Sequence, residues 1–221
     1  MSARRHRIFL LSPANLRGKR GKLLAKPNAN FDVAIRVREG SATLGEALAF
    51  ISGLYFRGKF SYAQTFAAPP PGIAGAFVIT AACGLVPLEK PITLEYLEQV
   101  AAVPIDVADP RYRLPLERDC GLLNETSGPN CDFVLLGSVA TVKYLEPMFG
   151  IFGDRLLFPE EFVGRGNLSR GGLLLRCARA GAELAYAPLG KLTRHGPRPS
   201  KLPKLIASKR SKFRNAAIAK T

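Results

Sequence analysis

The sequence predicts an α/β fold, a mostly parallel central sheet with helices on both faces and basic N- and C-terminal extensions. Three observations carry this expectation. Residues 7–11 (RIFLL), 76–80 (AFVIT) and 132–136 (DFVLL) are nearly continuous apolar runs, the pattern of parallel strands buried on both faces. The segments between them carry apolar residues at helical spacing and are long enough for crossover connections. The chain has 221 residues, 47% of them hydrophobic, enough for one full core. Residues 1–190 are therefore expected to form a single α/β domain with a basic N-terminal segment, and residues 191–221 a basic, proline-containing tail.

The first strand stops at Ser12, Pro13, Ala14 and Asn15, a polar turn at a position where α/β proteins place ligand-binding groups. The next residues include Gly18, Lys19, Arg20, Gly21 and Lys22, but not the spacing of a nucleoside-triphosphatase phosphate loop. Over residues 43–56, Leu44, Ala47, Leu48, Ile51, Leu54 and Tyr55 share a helical face, with Thr43 and Glu46 spaced as a capping box. A second helical piece is expected over 58–66, ended by Pro69, Pro70, Pro71 and Gly72. After the strand at 76–80, Gly84 marks a turn, and Leu94, Leu97 and Val100 form one face of a helix over 93–103. Residues 106–119 are polar, mixed in charge and broken by proline, which predicts a surface loop, and 124–131 predict another. The strand at 132–136 runs into Gly137 and Ser138 and then a helix over 139–149 that carries Lys143. A short strand at 156–158, a helix from about residue 170 to 179 and a last strand at 183–186 complete the series.

The net charge of +15 is unevenly placed. Residues 1–26 carry eight Lys and Arg and no acid, residues 191–221 carry ten and no acid, and the remainder holds 14 basic against 17 acidic residues. Basicity thus belongs to the ends, as in proteins that engage a polyanion through phosphate contacts; solvated, solubilising tails are the other reading. No run approaches 18 apolar residues, and the N-terminal apolar stretch, residues 8–11, is too short for a signal peptide. A cytoplasmic protein with no membrane partner is expected. Four dispersed cysteines and two histidines give no metal spacing and no disulfide framework, and no cofactor is implied.

The densest chemistry lies at 157–179, LFPEEFVGRGNLSRGGLLLRCAR. Gly164, Gly166, Gly171 and Gly172 permit tight turns or close backbone approach. Asn167 or Ser169 can cap a helix that begins near Arg170. The unpaired N–H groups of that helix start, flanked by Arg165 and Arg170, make a candidate phosphate site; a glycine-rich turn that merely starts a buried helix is the alternative. Gly137 and Ser138, with Lys143 in the following helix, offer a second candidate. In YFRGKFSY, Tyr55 and Tyr62 interleave with Arg57 and Lys59, which suits bases stacked on aromatic faces and phosphates held by cations. A core role for the rings, with both cations at the surface, is the competing reading. For acid–base chemistry the candidates are Glu161 and Asp119.

YFRGKFSYA, VITAACGLVP, FVLLGSVATVKYLEPMF and FVGRGNLSRGGLLLR resemble, in order and spacing, a family of uncharacterised bacterial α/β domains. The opening LLSPAN looks like the Ser-Pro-Ala start of the peroxide-stress-resistance protein family, a resemblance that implies DNA binding and assigns no catalytic residue. EEFVGRGNLSRGGLLLRCA is also similar to a helix-hairpin-helix, with Val163, Gly164 and Gly166 at the turn positions and Arg165 where such motifs carry an apolar residue. The expected function is nucleic-acid binding, including proteins that process or repair DNA or RNA. The alternative is a small-molecule enzyme acting on a nucleotide or other phosphorylated substrate.

Overall fold

The computed structural model describes residues 5–137, 142–191, 196, 197, 199, 200 and 202. Its centre is a six-stranded sheet formed by β1 (His6–Leu11), β2 (Ala76–Thr80), β3 (Gly84–Pro87), β4 (Cys131–Leu136), β5 (Leu156–Pro159) and β6 (Tyr186–Pro188), in the order β3-β2-β1-β4-β5-β6. The four inner strands are parallel and the two edge strands antiparallel, so the fold is α/β with a mixed, mostly parallel sheet. β1 and β4 are the innermost pair, and Ile8–Leu11 and Phe133–Leu136 are fully buried. That is why these segments read as unbroken apolar runs.

Eight α-helices surround the sheet among the described residues: α1 (Lys19–Leu24), α2 (Asp32–Arg38), α3 (Leu44–Ser52), α4 (Leu54–Phe66), α5 (Leu94–Ala102), α6 (Pro110–Ser127), α7 (Val142–Phe152) and α8 (Asn167–Ala180). The chain leaves β1 toward β2 on one side and later passes from β4 to β5 on the other. Right-handed crossovers in opposite directions put their helices on opposite faces. α3, α4 and α8 pack together, and α6 and α7 form the other layer.

Several local expectations need correction. The helix expected over 43–56 starts with the capping box, in which the Glu46 amide donates to Thr43 Oγ1 at 3.3 Å and the Thr43 amide to Glu46 Oε2 at 2.8 Å. It breaks at Gly53, where φ is +65°, so α4 begins at Leu54 in a new direction. Residues 106–119 and 124–131 are not two loops, because most of them belong to α6. Asp109 caps that helix by accepting from the Arg111 amide at 2.9 Å, and Pro110 occupies its first turn. Pro115 sits inside it. Gly84, expected only as a turn, starts β3, and the last strand begins at Tyr186 rather than residue 183. The core also continues beyond residue 190: Leu202 packs against it, and Pro197 and Pro199 cover Gly164.

α4 and α8 meet backbone to backbone. A Cβ at Gly58 would stand 2.6 Å from the Gly171 carbonyl oxygen, and one at Gly171 would stand 2.7 Å from Tyr55 Cα. Gly171 is therefore a packing glycine inside α8, not part of a phosphate loop. Gly172, one residue on, faces only Leu202 Cδ1 at 3.7 Å. Gly58→Ala and Gly171→Ala should each destabilise by about 1–3 kcal/mol, overpacking outweighing the better helix propensity of Ala. Gly172→Ala should be neutral or stabilising by up to about 1 kcal/mol. Equal losses at all three positions in denaturant unfolding would contradict the close crossing.

Candidate functional site

Because the connections from β1 and β4 run in opposite directions, a crevice opens at the carboxyl ends of these strands. A cavity of about 360 Å³ lies there, its wall including Pro13, Asn15 and Arg17 after β1, Ala81 after β2, Ile105 after α5 and Tyr144 of α7. Ser12, the last residue before that wall, meets Lys59 of α4.

Lys59 is 1% exposed. Its Nζ donates to the Ser12 carbonyl oxygen and lies 2.9 Å from Ser12 Oγ. The rings of Tyr55 and Phe56 flank it at 4.6 and 4.9 Å from their centroids. No carboxylate pairs with it among the described residues. Burial alone pushes its amine down to about 7. Ser12 supplies two acceptors, and its own hydroxyl points to the Leu136 carbonyl at 3.5 Å; a charged amine keeps a third donor without an oxygen acceptor, whereas a neutral amine has a lone pair able to take the Ser12 hydroxyl proton.

A second cation stands at the end of β4. Arg170 donates through Nη1 to the Gly137 carbonyl at 3.2 Å, and through Nε and Nη2 to the Phe162 carbonyl at 3.1 and 2.9 Å. Tyr55 OH donates to the same Gly137 oxygen at 3.4 Å. Burial pushes the Tyr55 hydroxyl up, opposed by nearby Arg170, so it stays protonated. A Cβ at Gly137 would stand 3.2 Å from Ser12 Cβ, so the ends of β1 and β4 touch here.

The structure thus brings together Tyr55, Lys59, Gly137 and Arg170, around a Ser12 that the sequence marked only as a strand end. Lys59 is not a surface phosphate contact: it occupies an apolar position of α4, in line with Phe56, Tyr62 and Ala63. Arg57 is exposed, away from this cluster. Tyr62 cannot stack on a base. It is fully buried, and its hydroxyl shares a 2.6 Å hydrogen bond with Tyr186 OH and accepts from the Leu184 amide at 2.8 Å.

The glycine-rich loop is also rearranged. α8 begins at Asn167 with Gly166 as its N-cap and no side-chain cap, so neither Asn167 nor Ser169 performs that role. Asn167 is exposed. Arg165 folds back, donating to the Glu161 carbonyl at 2.9 Å and reaching Ser169 Oγ and the Ser200 carbonyl at 3.4 Å. The first helix that a helix-hairpin-helix requires is a single 3₁₀ turn, Glu160–Phe162. Ser138 and the Lys143 side chain lie outside the described residues.

Asp119 and Glu161 do not form an acid–base pair. Asp119 Oδ2 accepts the Leu85 amide at 3.0 Å and Oδ1 accepts from Arg118 at 2.8 Å, which ties α6 to the edge strand β3. Glu161 is exposed just after β5, with three strands between β5 and the β3 edge that Asp119 holds. Among the described residues no three His, Cys, Asp or Glu side chains converge as a metal site, and no helix is long and apolar enough to cross a membrane.

Beside the cavity, Arg17 and the α1 region present Lys19, Arg20, Lys22 and Lys26, all exposed. Arg17 and Arg20 bond backbone carbonyls, of Ala101 and Phe50 respectively, and none of the five meets a carboxylate among the described residues. No family model matches this chain, and no curated protein or solved structure is significantly similar to it.

Lys59 gives folding a pH dependence. Below about 7 both states hold its proton, and the folded state bears the full cost of a buried charge. Between about 7 and 10.5 the unfolded chain alone holds it, so stability rises with pH, by at most about 1.4 kcal/mol per unit from this group. Lys59→Met should raise stability most at pH 6 and lose that rise. A constant difference between variant and wild type from pH 6 to 10 would show that the lysine is not depressed.

Proposed function

We propose that this protein binds nucleic acid, with a strand or nucleotide in the crevice at the carboxyl ends of β1 and β4 and its phosphates on α1. The observation that carries the reading is the acid-free run of exposed cations, Arg17, Lys19, Arg20, Lys22 and Lys26, which begins in the cavity wall. Cations without carboxylate partners at the mouth of a cleft favour a polyanion over a neutral ligand. Residues 191–221 carry ten further cations and no acid. The first turn of α8, exposed and without a side-chain cap, offers N–H groups to a further phosphate beside Arg165, Gly166 and Ser169. A cytoplasmic setting belongs to this reading and is supported by four free cysteines. Processing or repair of DNA or RNA would place the reacting nucleotide in the crevice.

Binding of labelled single- and double-stranded DNA and RNA across a salt series tests this. The wild-type chain should bind with an affinity that falls steeply from 50 to 200 mM salt. Lys19→Glu with Lys22→Glu should weaken binding to every sequence and reduce the magnitude of the log–log salt slope by about 2. Absence of binding at 50 mM salt, or a double variant indistinguishable from wild type, would remove α1 as the phosphate-binding surface.

A further inference from the structure

We propose that Ser12 and Lys59 form a nucleophile–base pair that transfers a phosphoryl group from a phosphate ester held in the crevice. The pair stands on geometry. Ser12 Oγ is 2.9 Å from Lys59 Nζ, within the range for direct proton transfer. The amine is held in one direction by its second contact, to the Ser12 carbonyl. It sits on α4, which the Gly58–Gly171 crossing fixes against α8. Ser12 itself stands at the switch between β1 and β4, where the chain turns into the cavity wall.

A purely structural lysine would be expected to have a carboxylate partner, as the half-buried cation of β1 does. Arg7, on β1, pairs with Glu183, which also accepts from Tyr186 OH at 3.0 Å. Among the described residues Lys59 has the two oxygens of Ser12 and two aromatic rings as partners. An uncompensated amine in the core costs stability that an apolar side chain of the same length would not, and such costs concentrate at reactive sites. The depressed amine is available as a base at neutral pH.

The step balances without a redox partner. Lys59 Nζ takes the proton from Ser12 Oγ as that oxygen attacks phosphorus. The Oγ–P bond forms, the bond from phosphorus to the leaving oxygen breaks, and that oxygen takes the proton back from Lys59. Water, deprotonated by the same amine, then displaces Ser12 from phosphorus, and Ser12 regains its proton. Arg170, on the adjoining Gly137 carbonyl, brings positive charge toward the phosphoryl oxygens. The choice of a phosphate ester rests on the nucleic-acid reading above, whereas the pair itself does not.

A fluorophosphonate probe on the full chain tests the pair without nucleic acid, because attack by Oγ releases fluoride and leaves a stable adduct. Intact mass and peptide mapping should give one adduct, at Ser12, formed about tenfold faster per pH unit below about 7 and levelling above it. Ser12→Ala should abolish it, and Lys59→Arg, which keeps the charge and cannot act as a base, should slow it by about 100-fold or more. No adduct at Ser12 at any pH from 5.5 to 9, or equal rates for wild type and Lys59→Arg, overturns the pair even where nucleic acid binds. An adduct at Ser12 with the expected pH profile supports the pair; if nucleic acid fails to bind that same chain, the phosphate-ester class falls and the pair stands.

Discussion

The cluster at the ends of β1 and β4 depends on how closely α4 approaches α8. Gly58 and Gly171 remove the two side chains that would hold these helices apart. Tyr55 and Lys59 flank Gly58 on one helix, and Arg170 precedes Gly171 on the other. One close crossing therefore delivers a phenol, an amine and a guanidinium to the ends of the two innermost strands. The strands answer with backbone: the Ser12 carbonyl takes the amine, and the Gly137 carbonyl takes both the phenol and the guanidinium. Helix packing and site geometry are here a single constraint.

The same region shows two ways of burying charge. On β1, Arg7 meets Glu183, and the pair is extended by Tyr186 and Tyr62 into a network that pins the approach to β6. At the end of the same strand Lys59 enters the core with no acid opposite among the described residues. A charge in a medium of low dielectric is disfavoured unless something neutralises it. The first arrangement neutralises by pairing and the second by releasing a proton. The difference lies in the chemistry left over: the Arg7 charge is matched by a carboxylate, whereas a neutral amine beside a hydroxyl keeps a usable lone pair. Outside the crevice the surface is arranged to attract anions, since the exposed cations from Arg17 to Lys26 face no acid in their own segment.

Much of the architecture was legible in the sequence because burial on both faces leaves an unmistakable apolar run. β1, β2 and β4 were found within a residue of their bounds for that reason, and the capping box announced α3. α6 was hidden by Pro110 and Pro115, which read as breakers although the first is favourable in an opening turn. The candidate site was half legible. Tyr55, Lys59, Gly137 and Arg170 stand out by residue type, but their convergence depends on a helix crossing that local sequence does not specify. Glu161 and Asp119 stand out by residue type alone, and the fold uses Asp119 to tether an edge strand. The missed signal was a lysine in line with Phe56, Tyr62 and Ala63, since a cation on an apolar helical face must find a partner inside.

The Lys59 amine gives up its proton near pH 7 because it is buried against Ser12 with no carboxylate partner among the described residues. Carbon-13 labelling of the lysine ε-carbons, with the Lys59 resonance assigned by its loss in Lys59→Arg, follows that proton directly by NMR across pH 5 to 11. A midpoint near 7 is expected for this one resonance, well below the ordinary lysine range. A Lys59 resonance that titrates with the exposed lysines near 10.4 would contradict it.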